Sequence, residues 1–392
     1  MHSAQEWLAR IRELPLPGGL RVMNVCGGHE RTISMAGLRA ALPRSIELIP
    51  GPGCPVCVCP EEDIHQAVTL ALRRHITVVA FGDMLRVPCN APKGDPCSLV
   101  DARAAGADVR AVASPREAAH LALSEPQRQF VFFAAGFETT MAPVASLIAE
   151  GVPENLTLLV SGRLTWPAVA MLLDSGAPGF QALIAPGHVA TVMGPEQWAF
   201  VPQRHGIATA IAGFTPLSLL AALYSVIRQI IARQPSLDNC YPQVVREGGN
   251  RHAQAILQQV FDVVDANWRG IGTIANSGFA VKPDLRALDA RIRFADEVSS
   301  VRKRAGSMPP GCACAQVVLG RVYPNQCPLY GRACSPREPV GPCMVSDEGA
   351  CRIWWASGIR EANSVAAAAP SGRESQQSHS AAAVASTDRW TP

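Results

Sequence analysis

Short apolar runs recur through the first 235 or so residues, at 21–25, 46–49, 77–81, 130–134, 156–160, 182–185 and 208–212. Stretches of helical periodicity lie between them. The clearest is 61–75, where Ile64, Ala67, Val68, Ala71 and Leu72 share one face, acids open the segment, and Arg73, Arg74 and His75 close it. Strands that alternate with helices pair mostly in parallel and carry helices on both faces. This alternation predicts an α/β fold built on open parallel sheets.

The loops that follow these runs read CGGHE, GPGCPVC, FGDM, AGFETT, SGR, PGH and GFTP. Each is rich in Gly or Pro and sits at the C-terminal end of a strand, the edge where open α/β sheets bind ligands. They fall into two groups, before and after about Ser124. The expected organisation is therefore two similar α/β domains facing a cleft, 1–124 with CGGHE and GPGCPVC and 125–238 with GFETT and APGH. From 239 the texture changes: a helical segment at 253–267, then WRGIGTIANSG, then a smaller, α-rich and cysteine-rich domain to 356. The Ala/Ser-rich stretch 357–392 reads as a disordered tail.

A chain of 392 residues has room for two or three domains. With 48% hydrophobic and 17% charged residues it can bury a large core. A net charge of +3 offers no field for nucleic acid or an anionic membrane. The most apolar stretches, 130–150 and 217–232, are broken by Glu138 and Arg228, so no bilayer span is expected. The N-terminus carries charges where a signal peptide needs an apolar run, which points to the cytoplasm. In that compartment 13 cysteines read as metal ligands or reactive thiols before disulfides.

Four of them, Cys314, Cys327, Cys334 and Cys351, fall in the pattern C-x12-C-x6-C-x16-C, among prolines and glycines that favour a wrapped loop. Thiolates at such spacings can hold a [4Fe-4S] cluster or zinc, and inert thiols are the plain alternative. The paired knuckles usual for zinc are absent, which favours the cluster. Cys312 and Cys343 stand nearby as spares that spacing alone does not assign.

A second thiol group lies upstream. Cys54 and Cys57 form a C-x-x-C on a Gly/Pro loop, able to close a disulfide or chelate a metal, with Cys59 as a third sulfur. Buried small hydrophobes are the plainer reading. Cys26 sits in CGGH, where His29 could accept its proton or ligate a metal; a solvated helix-start loop is the alternative. Glu138, His188 and Asp83 lie on strand-end loops as candidate proton carriers, or as ordinary loop residues. No G-x-S-x-G, G-x-x-x-x-G-K-[ST] or sound G-x-G-x-x-G motif is present, which argues against hydrolase and nucleotide chemistry.

Taken in order, CGGHE, GPGCPVCV, FGDMLRVP, GADVR, GFETTMAP, APGHV, NWRGIGTIANSG, and CPLYG-x-x-C-x-P with GPCMVSDEGAC resemble the HypD family of [NiFe]-hydrogenase maturation factors, over roughly 22–353. The resemblance implies two facing α/β domains and a third carrying a [4Fe-4S] cluster. It implies partnership with a HypC-type chaperone and a HypE-type cyanide donor, assembly of an Fe(CN)2CO moiety, and delivery to the hydrogenase large subunit. It makes Cys26 the iron-holding thiolate, Cys54 and Cys57 the redox-active or iron-proximal pair, and Cys314, Cys327, Cys334 and Cys351 the cluster ligands. The chain departs from the family where Glu30-Arg31 replaces the end of H-T-H, where Thr215 and Ser218 replace acids in G-F-E-P-L-D, and in the stretch CNAPKGDPC with Cys89 and Cys97. Two other functions fit the residues: an iron-sulfur-dependent protein disulfide reductase acting through Cys54 and Cys57, and a zinc-stabilised binding protein.

Overall fold

The computed structural model describes residues 3–16, 18–176, 178–298 and 308–360. Its strands in chain order are β1 (Leu20–Asn24), β2 (Ile46–Pro50), β3 (Ile76–Phe81), β4 (Val109–Val112), β5 (Gln129–Gly136) and β6 (Leu156–Gly162). There follow β7 (Ala182–Pro186), β8 (Ala208–Ala212), β9 (Leu237–Asn239), β10 (Phe261–Trp268) and β11 (Gly272–Val281). Every one of the seven expected apolar runs is a strand. The α/β class holds, with two parallel sheets.

The first sheet has the order β2-β1-β7-β8-β9 and the second β4-β3-β5-β6, and all their pairings are parallel. Both are covered on both faces, which is why their strands read as unbroken apolar runs. On β1, Leu20 and Val22 enter one apolar cluster and Met23 the opposite one. On β5, Phe130 and Phe132 face one cluster while Val131 and Phe133 face another.

The sheets do not part at Ser124. The first takes β1 and β2 from one side of it and β7 to β9 from the other; the second takes β3 and β4 from one side and β5 and β6 from the other. The second sheet is thus inserted in sequence between β2 and β7. Pairing partners are chosen by burial across the sheet, and a parallel pair needs a long crossover that chain order does not reveal.

Strand order reverses between β1 and β7 in the first sheet and between β3 and β5 in the second. Loops at such reversals splay apart at the C-terminal strand ends and open a crevice there. CGGHE after β1 and PGH after β7 flank the first reversal; FGDM after β3 and GFETT after β5 flank the second.

Two helical expectations are corrected. The segment at 61–75 is helical only over Glu61–Ala71, and the three basic residues lie in the turn beyond it. The segment at 253–267 is a helix only over Arg251–Val260, capped by the Asn250 side chain. From Phe261 the chain is strand β10, paired antiparallel with β11. Apolar spacing continues past Val260 at helical intervals, but Val263 and Val264 are β-branched and pair across the hairpin with Phe279 and Gly278.

The cysteine-rich segment holds short helices at Cys314–Val318 and Ala350–Ala356 linked by 3-10 turns. Its cysteines join the apolar cluster that contains Val78, Phe133 and Trp268, so the segment packs onto the second sheet's core. Of the expected tail at 357–392, residues 361–392 lie outside the described residues. Among the described residues no helix is long and apolar enough to cross a membrane.

Candidate metal and thiol centre

Cys26 leaves β1 and caps the start of helix Gly27–Met35. Cys54 and Cys57 leave β2 and are joined by a disulfide across the one-turn helix Pro55–Val58. The two loops are fastened together, since Gly27 N–H donates to the Gly53 carbonyl at 3.0 Å. A Cβ at Gly53 would lie 2.3 Å from the Cys26 backbone nitrogen, so only glycine permits this approach. Cys26, Cys54 and Cys57 line one small cavity of about 10 Å³, shared with Glu30, Cys343 and Glu348. The space suits one ion or one water.

The cavity disfavours unpaired anions. Burial, and next the charge of Glu348, pushes the Cys26 thiol up to about 12. Burial, and next Asp83, raises the Glu348 carboxyl to about 7. A cation placed among them would reverse both effects, because it favours thiolate and carboxylate alike.

His29 is buried, and its ring serves the fold. Its Nε2 lies 3.0 Å from the Ala212 carbonyl, an acceptor only, so Nε2 carries the proton. Nδ1 is buried without a partner. Burial lowers the pKa to about 4, so the ring is neutral near pH 7. Among the described residues no hydrogen bond joins the ring to Cys26; the His29 backbone N–H favours the Cys26 thiolate instead. Phe214 packs against both His29 and His188, at ring distances of 4.9 and 3.8 Å.

Glu138 is buried at the start of helix Glu138–Glu150 and is not part of the cavity lining. Thr165 donates to it twice, from its N–H and its hydroxyl, each at 2.7 Å. Burial still outweighs these bonds and raises the carboxyl to about 7. Asp83 accepts from the Ser346 hydroxyl at 2.9 Å.

In the cysteine-rich segment the sulfurs of Cys314, Cys343 and Cys351 lie within 4.8 Å of one another, all buried. Cys327 accepts from the Ala313 N–H and Cys334 from the Val340 N–H, each at 3.4 Å. Hydrogen bonds from Cys314 and Cys343 hold Cys351 down to about 6, while the nearby Cys327 and Cys334 oppose that effect. Burial raises Cys334, and the hydrogen bonds from Cys314 and Cys351 raise Cys343 further. Three buried sulfurs therefore converge, with Cys327 and Cys334 near enough to act on Cys351, and soft sulfur ligands grouped this closely suit a metal. The backbone makes room for them: a Cβ at Gly341 would lie 2.5 Å from the sulfurs of both Cys312 and Cys314. These residues fit a metal cluster.

Sequence spacing left Cys343 among the spares, yet its sulfur belongs to the tight group and the residue also lines the Cys26 cavity. Spacing also passed over Glu348 and Glu30. The signal for Glu348 was its place in GPCMVSDEGAC, and for Glu30 its place in CGGHE. Glu30 is 2% exposed, pairs with Arg39 at 2.7 Å, and accepts from Asn24 and from Trp354 Nε1. It clamps helix Gly27–Met35 to helix Ala350–Ala356.

With this geometry in view, the family described as "HypD: Hydrogenase formation hypA family" matches residues 2–358. The chain belongs to the HypD family. The hydrogenase maturation factor HypD of Azotobacter vinelandii is 38% identical over 377 residues, 94% of this chain and 97% of its own length. That of Escherichia coli K12 is 38% identical over 340 residues, 86% and 88%. That of Rhizobium leguminosarum bv. viciae is 37% identical over 347 residues, 86% and 88%.

Of the positions that depart from the resembled pattern, Thr215 and Ser218 have structural roles here. Thr215 caps helix Pro216–Ala232 by accepting the Ser218 N–H, and Ser218 accepts the Gly213 N–H at 2.7 Å. Two hydroxyl oxygens thus order the start of this helix. Arg31 is exposed. Cys89 and Cys97 are both free; the Cys97 thiol donates to Asp101 at 3.0 Å.

Proposed function

We propose that this HypD-family chain is the scaffold and redox protein on which the Fe(CN)2CO moiety of [NiFe] hydrogenases is assembled. The carrying observation is the shared cavity: Cys26, the Cys54–Cys57 pair, and Cys343 and Glu348 of the cysteine-rich segment all line it. In this reading the iron is cargo. The Cys26 thiolate holds it together with a thiolate from a HypC-type chaperone, and a HypE-type donor supplies cyanide. The product passes to the hydrogenase large subunit, in the cytoplasm. Soft thiolates suit low-spin Fe(II) bearing strong-field ligands.

Cys54 and Cys57 interconvert between a disulfide and two thiols, which takes up two electrons and two protons. Cys314, Cys327, Cys334 and Cys351 are the proposed [4Fe-4S] ligands by spacing, with Cys343 the alternative that the geometry raises. A bound cluster supplies single electrons.

The test is anaerobic co-purification with HypC-type and HypE-type proteins, followed by infrared spectroscopy. Bands of iron-bound CN and CO are expected, and their loss in Cys26→Ala. A protein with full iron and sulfide but no such bands overturns the scaffold, and the disulfide reductase becomes the reading to pursue.

A further inference from the structure

Arg269, in the NWRGIG motif, is 1% exposed, and its Nε and both Nη atoms are buried without a hydrogen-bond partner. A guanidinium does not release its proton in a protein. A cation this deep therefore needs an anion, or it opposes folding. Among the described residues no carboxylate pairs with it.

Its position says where that anion would lie. The Arg269 N–H donates to the Val58 carbonyl at 3.0 Å, between Cys57 and Cys59 in sequence. The next residue, Gly270, packs against Met308 and against Ala315, the neighbour of Cys314. Arg269 thus stands in the sulfur-rich layer between the disulfide loop and the cysteine-rich segment.

We propose that Arg269 is the internal counter-cation of the iron-sulfur cluster held by the 312–351 segment, a positioning residue that sets the cluster's reduction potential. The inference rests on the cluster reading of that segment. A cluster on four thiolates is an anion and becomes more negative on reduction. A fixed cation beside it favours the reduced form, and net charge is one of the levers on such potentials.

Wild type, Arg269→Gln and Arg269→Lys are to be purified anaerobically, assayed for iron and sulfide, and titrated potentiometrically by visible absorbance. Wild type without iron and sulfide sinks the cluster reading itself and this inference with it. With the cluster present, Arg269→Gln is expected to disfavour reduction at least tenfold, a midpoint about 59 mV more negative for one electron. Arg269→Lys is expected to stay near wild type. An unchanged midpoint in Arg269→Gln overturns the proposal. If Arg269→Gln folds without a cluster, iron and sulfide recovered in Arg269→Lys support a charge requirement. Loss in both variants shows that side-chain shape matters and overturns it.

Discussion

Glu30 and Glu138 are both buried carboxyls, and their partners give them opposite characters. Glu30 faces the Arg39 guanidinium and two further donors. Removing it strands a partly buried cation and the Trp354 N–H, so Glu30→Ala is expected to cost about 3 kcal/mol in urea unfolding. Glu138 has only Thr165, and burial holds its folded-state pKa near 7 against 4.5 when free. The folded state therefore binds the proton more tightly than the unfolded state does. Glu138 adds stability that is complete below about pH 4.5 and is lost as the pH rises through 7. Glu138→Gln should flatten this part of the stability profile between pH 5 and 8; a profile of unchanged slope counts against it. Neither role was legible in the sequence, where Glu30 is one acid after CGGH and Glu138 one acid in a loop. Burial and partner identity are nonlocal, and no local spacing encodes them. The cysteines were legible because their chemistry is rare enough to stand out by type alone.

At the level of elements, the strand-end loops show what local pattern carries. All seven apolar runs were visible, because strands buried on both faces lack polar interruption. Strand β4 was not visible, since Arg110 sits in the middle of V-R-A-V at a sheet edge, where Asp108 and Glu125 neutralise it. Hairpin strand β10 was hidden by an apolar spacing that imitates a helix until cross-strand pairing decides the matter. The loop pair after β1 and β2 gives a sharp test. Gly53→Ala forces a Cβ into the Cys26 backbone, which cannot yield as a flexible side chain could. The variant should keep its iron and sulfide but lose the CN and CO infrared bands. Gly341→Ala should do the reverse first, lowering iron and sulfide by crowding the Cys312 and Cys314 sulfurs.

For the whole molecule, the cysteine-rich segment acts as a keystone. Ser346 reaches Asp83 after β3, Trp354 reaches Glu30 after β1, and Glu348 lines the Cys26 cavity. A metal bound in that segment stabilises the folded state alone, since the unfolded chain has no such site. Removing iron by oxidation and chelation should therefore lower the melting temperature, by roughly 1–2 °C for each kcal/mol lost in a chain of this length. It should also speed alkylation of Cys26. An apo-protein that melts like the loaded one would show that the segment's docking does not depend on metal.

The interleaved sheets also order events in time. As the chain leaves the ribosome, β1 and β2 emerge with Cys26, Cys54 and Cys57, but their neighbour β7 follows only after the whole second sheet has been made. At ordinary synthesis rates that gap of roughly 130 residues lasts about six to twenty-six seconds. During it the three upstream thiols sit on a two-stranded fragment, and the cysteine-rich segment that closes their cavity is translated later still. On the proposed scaffold reading, a nascent chain therefore cannot acquire iron at Cys26 in its finished surroundings before the cysteine-rich segment exists, and loading of that site becomes a post-translational step by topology alone.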